Sequence, residues 1–353
     1  MEKTLEKSKG KFFEEIHFLR AFACIGVVLV HLSASYYNQH DQTYNWLTFA
    51  LNQLGRFGTP TFALISGFLL FHQVKAKGFD FHRFLKSRFT KIVMPFVIWS
   101  IFYLLIKVFV LKATLPTGSD FIESVLTGAS FYHLYFMVIV IQFYFIFPLL
   151  QSIRTKRSWM IALVFSLITS AFFINLSHFM SVKEGLGAIL SNRVFIFTWI
   201  FYFIFGGFLA YYWRSITKLI TSQTKLVLLV VAVYILAIYE YKVMGSIPSN
   251  RMTNLINIPL LSMAVIGLFP VIQNRRILYK PLKLIGTLSM GIYLVHPLVL
   301  LFLNQILPHT AWATRGLPIM YVVVMLLSIG IVQAIRKLSF VQYIIPVPRM
   351  QNK

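Results

Sequence analysis

A chain of 353 residues that is 58% hydrophobic, 16% aromatic and only 12% charged carries more apolar surface than a soluble core can hide. That composition excludes a water-soluble domain and points to a polytopic membrane protein, whose helices are solvated by lipid. One cysteine, Cys24, rules out an intrachain disulfide and a thiolate metal framework, and the residue reads as packing.

The N-terminal stretch "MEKTLEKSKGKFFEE" is polar and mixed in charge. Ser33, Ala34 and Ser35 weakly resemble a cleavage site, but an uncleaved first span is expected, because cleavage there would discard Arg20 and His31. Apolar stretches of about 20 residues fall at 16–36, 47–72, 92–111, 131–151, 158–177, 194–213, 225–243, 253–273, 284–304 and 316–336. Open sheet edges are not tolerated in lipid, so each should be a helix. The expected fold is an all-α integral membrane protein, a bundle of about ten transmembrane helices. It forms one domain over 1–353, with short cytoplasmic tails at 1–15 and 338–353 and no internal repeat or linker.

Placement of the cations predicts orientation. With the N-terminus cytoplasmic, the inner segments hold 24 of the 33 Lys and Arg residues and the outer loops hold six, among them Lys112, Lys183, Arg193, Lys242, Arg251 and Arg315. This bias puts both termini inside and accounts for most of the +23 net charge, so nucleic acid is not needed as a partner. Three cations remain in or near the spans: Arg20, Arg56 and Lys107. Each costs about 2.5–3.5 kcal/mol at depth and calls for a pathway, a partner or a route to the headgroups. Lys107, near the outer end of its span, is expected to snorkel. Arg20, about one turn inside its span, has the same route towards the cytoplasm, whereas Arg56 lies too far into its span to be dismissed as easily.

Helix geometry links Arg20 to His31. Eleven residues make three turns plus roughly 20°, so the two share one face about 16 Å apart along the axis. That face should look into the bundle. His133 begins the fourth span and His296 lies in the outer half of the ninth, so His31, Arg56, His133 and His296 form four polar positions at similar depth on four helices. A shared polar cavity is expected. On the inner side, Lys86, Arg88 and Lys91 gather at one helix end, where they suit either phosphate binding or ordinary positive-inside anchoring. No Gly-rich phosphate loop, HExxH, GxSxG or paired-carboxylate motif is present, and ten acidic residues offer little material for a proton-coupled pump.

Five segments in order resemble the membrane-bound acyltransferase 3 family. Arg20 and His31 fit its R-x10-H signature. "GTPTFALISGFLL" (58–70), containing Ser66, resembles its second span, and "FLKSRFTKIVMP" (84–95) its R-x-R segment before the third. "YHLYFM" (132–137), with His133 and Tyr135, resembles the start of its fourth span. "SMGIYLVHP" (289–297), with Tyr293 and His296, resembles its late S-x-G-I-Y-L-x-H-P. The chain looks most like the short single-domain members of polysaccharide operons, of the intercellular-adhesion type. Two positions depart from the pattern: Lys86 replaces the first arginine of R-x-R, and His17 stands where many members have an aspartate, leaving Glu14 or Glu15 as the acid for Arg20.

The resemblance implies a membrane-bound O-acyltransferase. Its donor would be cytoplasmic acetyl- or succinyl-coenzyme A, a co-substrate and not a resident cofactor, and its acceptor a hydroxyl of a cell-surface or secreted polysaccharide. No metal is expected. Arg20, Lys86, Arg88 and Lys91 would hold the donor, His31 would act as general base or carry the acyl group covalently, and Arg56, His133 or Tyr135 would steady the oxyanion or the acceptor. Ser66, Tyr293 and His296 would line the cavity. No appended domain follows the tenth span, so the core or a partner, such as a synthase or export complex, is expected to complete transfer. The competing expectation is an exporter or flippase of a nascent glycan. Abundant Lys, Ile, Phe and Tyr suggest the plasma membrane of a Gram-positive bacterium.

Overall fold

The computed structural model describes residues 13–179, 190, 192–245 and 248–347. Lys3, Lys7, Lys9, Lys11, Lys183, Arg349 and Lys353, and the ends of both expected tails, lie outside the described residues. Among those described, every regular element is helical. In chain order they are α1 (Glu14–Gln39), α2 (Trp46–Gly55), α3 (Gly58–Lys77), α4 (Phe81–Arg88), α5 (Met94–Phe109), α6 (Gly118–Leu126), α7 (Tyr135–Ile146) and α8 (Lys156–Phe179). There follow α9 (Ile200–Tyr211), α10 (Trp213–Thr217), α11 (Gln223–Met244), α12 (Asn254–Gln273), α13 (Arg276–Ile306), α14 (Leu317–Ile335) and α15 (Val341–Ile344).

Each of the ten expected spans contains a helix. Among the described residues, eight helical segments are long and apolar enough to cross a bilayer. The other two, α7 and α9, have 12 residues each. That is roughly 18 Å, short of the ~30 Å hydrocarbon core. Turns at 128–134 and 3₁₀ segments at 149–152 and 196–198 extend them. Irregular backbone at membrane depth is tolerated where protein covers it, and Phe136, Met137, Ile139, Phe143, Tyr202 and Phe203 on these two helices are buried. At the periphery, α8, α11 and α14 turn large apolar side chains such as Phe165, Ile168, Leu228, Ile235 and Leu326 outward, as lipid-facing helices do.

α1 is the hub, packed on α2, α3, α12, α13 and α14, while α3 also packs against α9. Lipid is as apolar as leucine, so close helix contact rests on small residues rather than on hydrophobic burial. A Cβ on Gly206 would run into the Leu64 carbonyl, and one on Gly67 into that of Phe203, so α3 and α9 touch backbone to backbone. Gly286 likewise meets the His17 carbonyl and brings α13 onto α1.

Two further expected spans are not single straight helices. The second breaks at Arg56–Phe57, between α2 and α3, where Gly55 and Gly58 press on the α1 backbone at Gly26 and Ala23. A capping box at Asn45 and Thr48 fixes the start of α2. The third span joins α4 to α5 through a π-helical turn, Phe89–Val93. Such turns recur at functional sites.

Candidate functional site

α1 and α13 bring the histidines together. The His31 ring lies 5.2 Å, centroid to centroid, from His296 and 4.7 Å from Tyr132; His133 lies 5.9 Å from His296 and 5.2 Å from Tyr293. His296 Nδ1 donates to the Ile292 carbonyl at 2.9 Å, which fixes its tautomer and leaves Nε2 as an acceptor. That Nε2 is buried without a partner, as are both ring nitrogens of His133. The Tyr293 hydroxyl donates to the His133 carbonyl. Behind His133, Tyr103 donates to the Leu294 carbonyl at 2.7 Å and stacks on Phe131 at 4.3 Å. An unpartnered buried imidazole is costly in a finished core, so it marks a site that expects a ligand or water.

Two cavities meet at His31. The larger, about 550 Å³, opens beside Ser35, Tyr132, Leu300 and Asn304. The smaller, about 40 Å³, is lined by His133, Tyr135, Tyr293, Thr59 and Ser249. It is large enough for ordered water. His31 lines both.

Arg56 stands at the break after α2, where Asn52 Oδ1 accepts from its Nε at 2.9 Å. Asn52 in turn donates to Ser33 Oγ at 3.0 Å and to the Tyr44 hydroxyl at 3.2 Å. Tyr135 is covered by the Arg193 guanidinium, 4.6 Å from its ring centroid. Arg20 donates from Nε to Ser289 Oγ at 3.1 Å. No carboxylate lies within ion-pair distance of Arg20 among the described residues, since Glu14 is taken by Lys283 at 2.7 Å and by the Tyr279 hydroxyl at 2.7 Å. Glu15 lines a separate cavity with Thr217 and Gln223.

The remaining expected residues are dispersed. Arg88 turns inward: its Nη2 donates to Gln73 Oε1 at 2.8 Å, and its guanidinium lies 5.6 Å from both the Phe84 and Tyr144 rings. Lys86 and Lys91 stay exposed, so the three basic residues do not share one environment. Ser66 donates to the Phe62 carbonyl within α3, at 2.8 Å, and lines neither histidine cavity. Lys107 reaches the Ala129 carbonyl at 3.2 Å.

Sequence reasoning passed over Tyr132, Ser289, Asn52 and the Arg251 cluster. Arg251 is buried, paired with Glu240 at 2.8 Å and set 5.5 Å from the Phe57 ring, so it braces the Arg56–Phe57 break. Burial lowers its pKa and the Glu240 carboxylate opposes that shift. In the sequence it counts only as an outer-loop cation. The one signal was an acid eleven residues ahead of it.

A family model described as an acyltransferase domain, acyltransferase 3, matches residues 13–337. The chain is 24% identical over 299 residues to a Staphylococcus aureus protein named "Probable poly-beta-1,6-N-acetyl-D-glucosamine export protein". That similarity covers 81% of this chain and 82% of the relative. A Staphylococcus epidermidis protein of the same name is 24% identical over 311 residues, covering 81% of each. No solved structure matches.

Proposed function

The chain belongs to the acyltransferase 3 family, and on that premise we propose that it transfers an acetyl or succinyl group from cytoplasmic acyl-coenzyme A to a hydroxyl of an extracytoplasmic polysaccharide. Both termini are cytoplasmic in this reading, and the membrane is the plasma membrane of a Gram-positive bacterium, in keeping with the staphylococcal relatives. The observation that carries the proposal is the position of His31 as the wall common to the outer 550 Å³ cavity and the inner 40 Å³ cavity. A general base must reach the proton of the hydroxyl it activates, and that hydroxyl must lie beside the carbonyl it attacks.

The acceptor enters the outer cavity and its hydroxyl meets the neutral imidazole of His31. As His31 takes the proton, the hydroxyl oxygen attacks the thioester carbonyl carbon, and the tetrahedral oxyanion faces the pocket of His133, Tyr135 and Tyr293. Collapse breaks the C–S bond, and the imidazolium returns the proton to the leaving thiolate. On the donor side, Arg20 is held by Ser289 and unmatched by any carboxylate among the described residues, so it is free to meet a phosphate. Exposed Lys86 and Lys91 add charge at the inner mouth, while Arg88 braces that mouth against Gln73. In this reading a synthase or export complex receives the product chain.

The relatives' names favour a second reading, export of the glycan itself. Reconstituted protein given radiolabelled acetyl- or succinyl-coenzyme A and a β-1,6-N-acetylglucosamine oligomer separates the two. Label appearing on the oligomer supports transfer and names the acyl group. Movement of unlabelled oligomer across the vesicle membrane without labelling overturns it in favour of export.

A further inference from the structure

The outer cavity is unusual for so basic a protein, because its described lining holds no Asp, Glu, Lys or Arg. Its polar groups are amides and hydroxyls: Ser35 and Asn38, which follow His31 at helical spacing on α1, and Asn304 and Gln305 on α13. Tyr132, 42% exposed, supplies an aromatic ring to the same lining, with Phe131 buried beside it. Asn304 Nδ2 donates to Ser35 Oγ at 3.2 Å, and its Oδ1 is buried without a partner. Lys107, behind Phe131, directs its ammonium to the Ala129 carbonyl and is not part of the lining.

Resting on the acyl-transfer reading, we infer that this cavity is an acceptor subsite built for uncharged, N-acylated sugar rings, and that Asn304 determines that selectivity. The physical reason is desolvation. An anionic polyol phosphate, or a sugar bearing a free ammonium, would bury charge against walls that offer no counter-charge. A neutral ring loses no such solvation. Its hydroxyls and amide have both donors and acceptors to match in Asn and Gln side chains, and a C–H face can lie against the exposed ring of Tyr132. The unpartnered Asn304 Oδ1 is an acceptor already oriented by its own bond to Ser35, waiting for an O–H or N–H donor. A volume near 550 Å³ falls within the ~300–1,000 Å³ range of sites that enclose small ligands.

The test compares three fluorescent probes on the full chain in nanodiscs: a β-1,6-N-acetylglucosamine tetramer, the same tetramer with free amines, and a glycerol-phosphate oligomer. Wild type should bind the N-acetylated tetramer at least tenfold tighter than either charged probe. Asn304→Asp places a carboxylate in the cavity and should reverse the order of the first two, a gain that misfolding cannot produce. Gln305→Glu, at the exposed rim, repeats the test where folding is not at risk and should shift preference the same way. Equal or tighter binding of a charged probe by wild type, or an unchanged preference in both variants, overturns the inference. Consumption of acyl-coenzyme A by wild type is measured separately. Its absence would defeat the acyl-transfer reading while leaving the sugar selectivity to be judged on the binding order alone.

Discussion

Gly286 is the residue on which the contact between α1 and α13 turns, and substituting it should disturb both stability and donor binding. A Cβ there would collide with the His17 carbonyl oxygen and lie 2.8 Å from its carbon. Carbon contacts are favourable at about 3.5–4.0 Å, so the helices must part by about 1 Å. Three residues on, Arg20 Nε and Ser289 Oγ are 3.1 Å apart, and a separation of that size carries them beyond hydrogen-bond reach. Overpacking costs about 1–3 kcal/mol, of which an alanine in a helix returns about 0.5–1 kcal/mol. Gly286→Ala should therefore lose about 0.5–2 kcal/mol, and Gly286→Val more. Freeing the guanidinium from its hydrogen bond, worth about 1.5–3 kcal/mol, should weaken acyl-coenzyme A binding at least tenfold. The assay is built into the chain: Cys24 is its sole cysteine and is buried, so a thiol-reactive fluorophore reports unfolding. At about 2–4 °C per kcal/mol, Gly286→Ala should melt several degrees below wild type. Gly330→Ala, where a Cβ meets nothing within 4 Å, should melt no lower. Equal melting and equal donor affinity in Gly286→Ala and wild type would refute the reasoning.

Glu240→Gln leaves the buried Arg251 without its counter-charge and should destabilise by about 2–4 kcal/mol, while adding Arg251→Met should restore most of the loss in a double-mutant cycle of thermal melts. Arg88→Ala should cost about 1–2 kcal/mol of stability, because it removes the Gln73 bond and the contacts with Phe84 and Tyr144. Lys86→Ala and Lys91→Ala should melt as wild type yet bind acyl-coenzyme A more weakly, with the deficit widening at low salt. Equal melting of all three would show that Arg88 is not the brace.

Much of this architecture was legible in the sequence because lipid imposes a simple rule, a run of about 20 apolar residues per crossing. The approach of His31 to His296 and His133 was readable from depth alone, since residues at one level on packed helices are neighbours. What the hydropathy pattern does not encode is backbone irregularity inside an apolar run. The break at Arg56 and the shortness of α7 and α9 lie within stretches that read as uniform, and the π-turn at Phe89–Val93 straddles the start of the run at 92–111. The π-turn and the aromatic pocket around Arg88 explain why three cations close in sequence have different surroundings. Ser66 fits a motif yet bonds within its own helix, as serines in apolar helices often do. Glu14 was a candidate for Arg20 by proximity in sequence, but Lys283 on α13 takes it.

The central claim is that one imidazole, shared by two cavities, removes the proton from the acceptor. Its most direct test is the single-turnover rate of acyl transfer to the β-1,6-N-acetylglucosamine oligomer by His31→Ala, with donor affinity measured in parallel. The rate should fall by about 10²–10⁴-fold, with donor affinity within a few-fold of wild type. Transfer at the wild-type rate without that imidazole would contradict it.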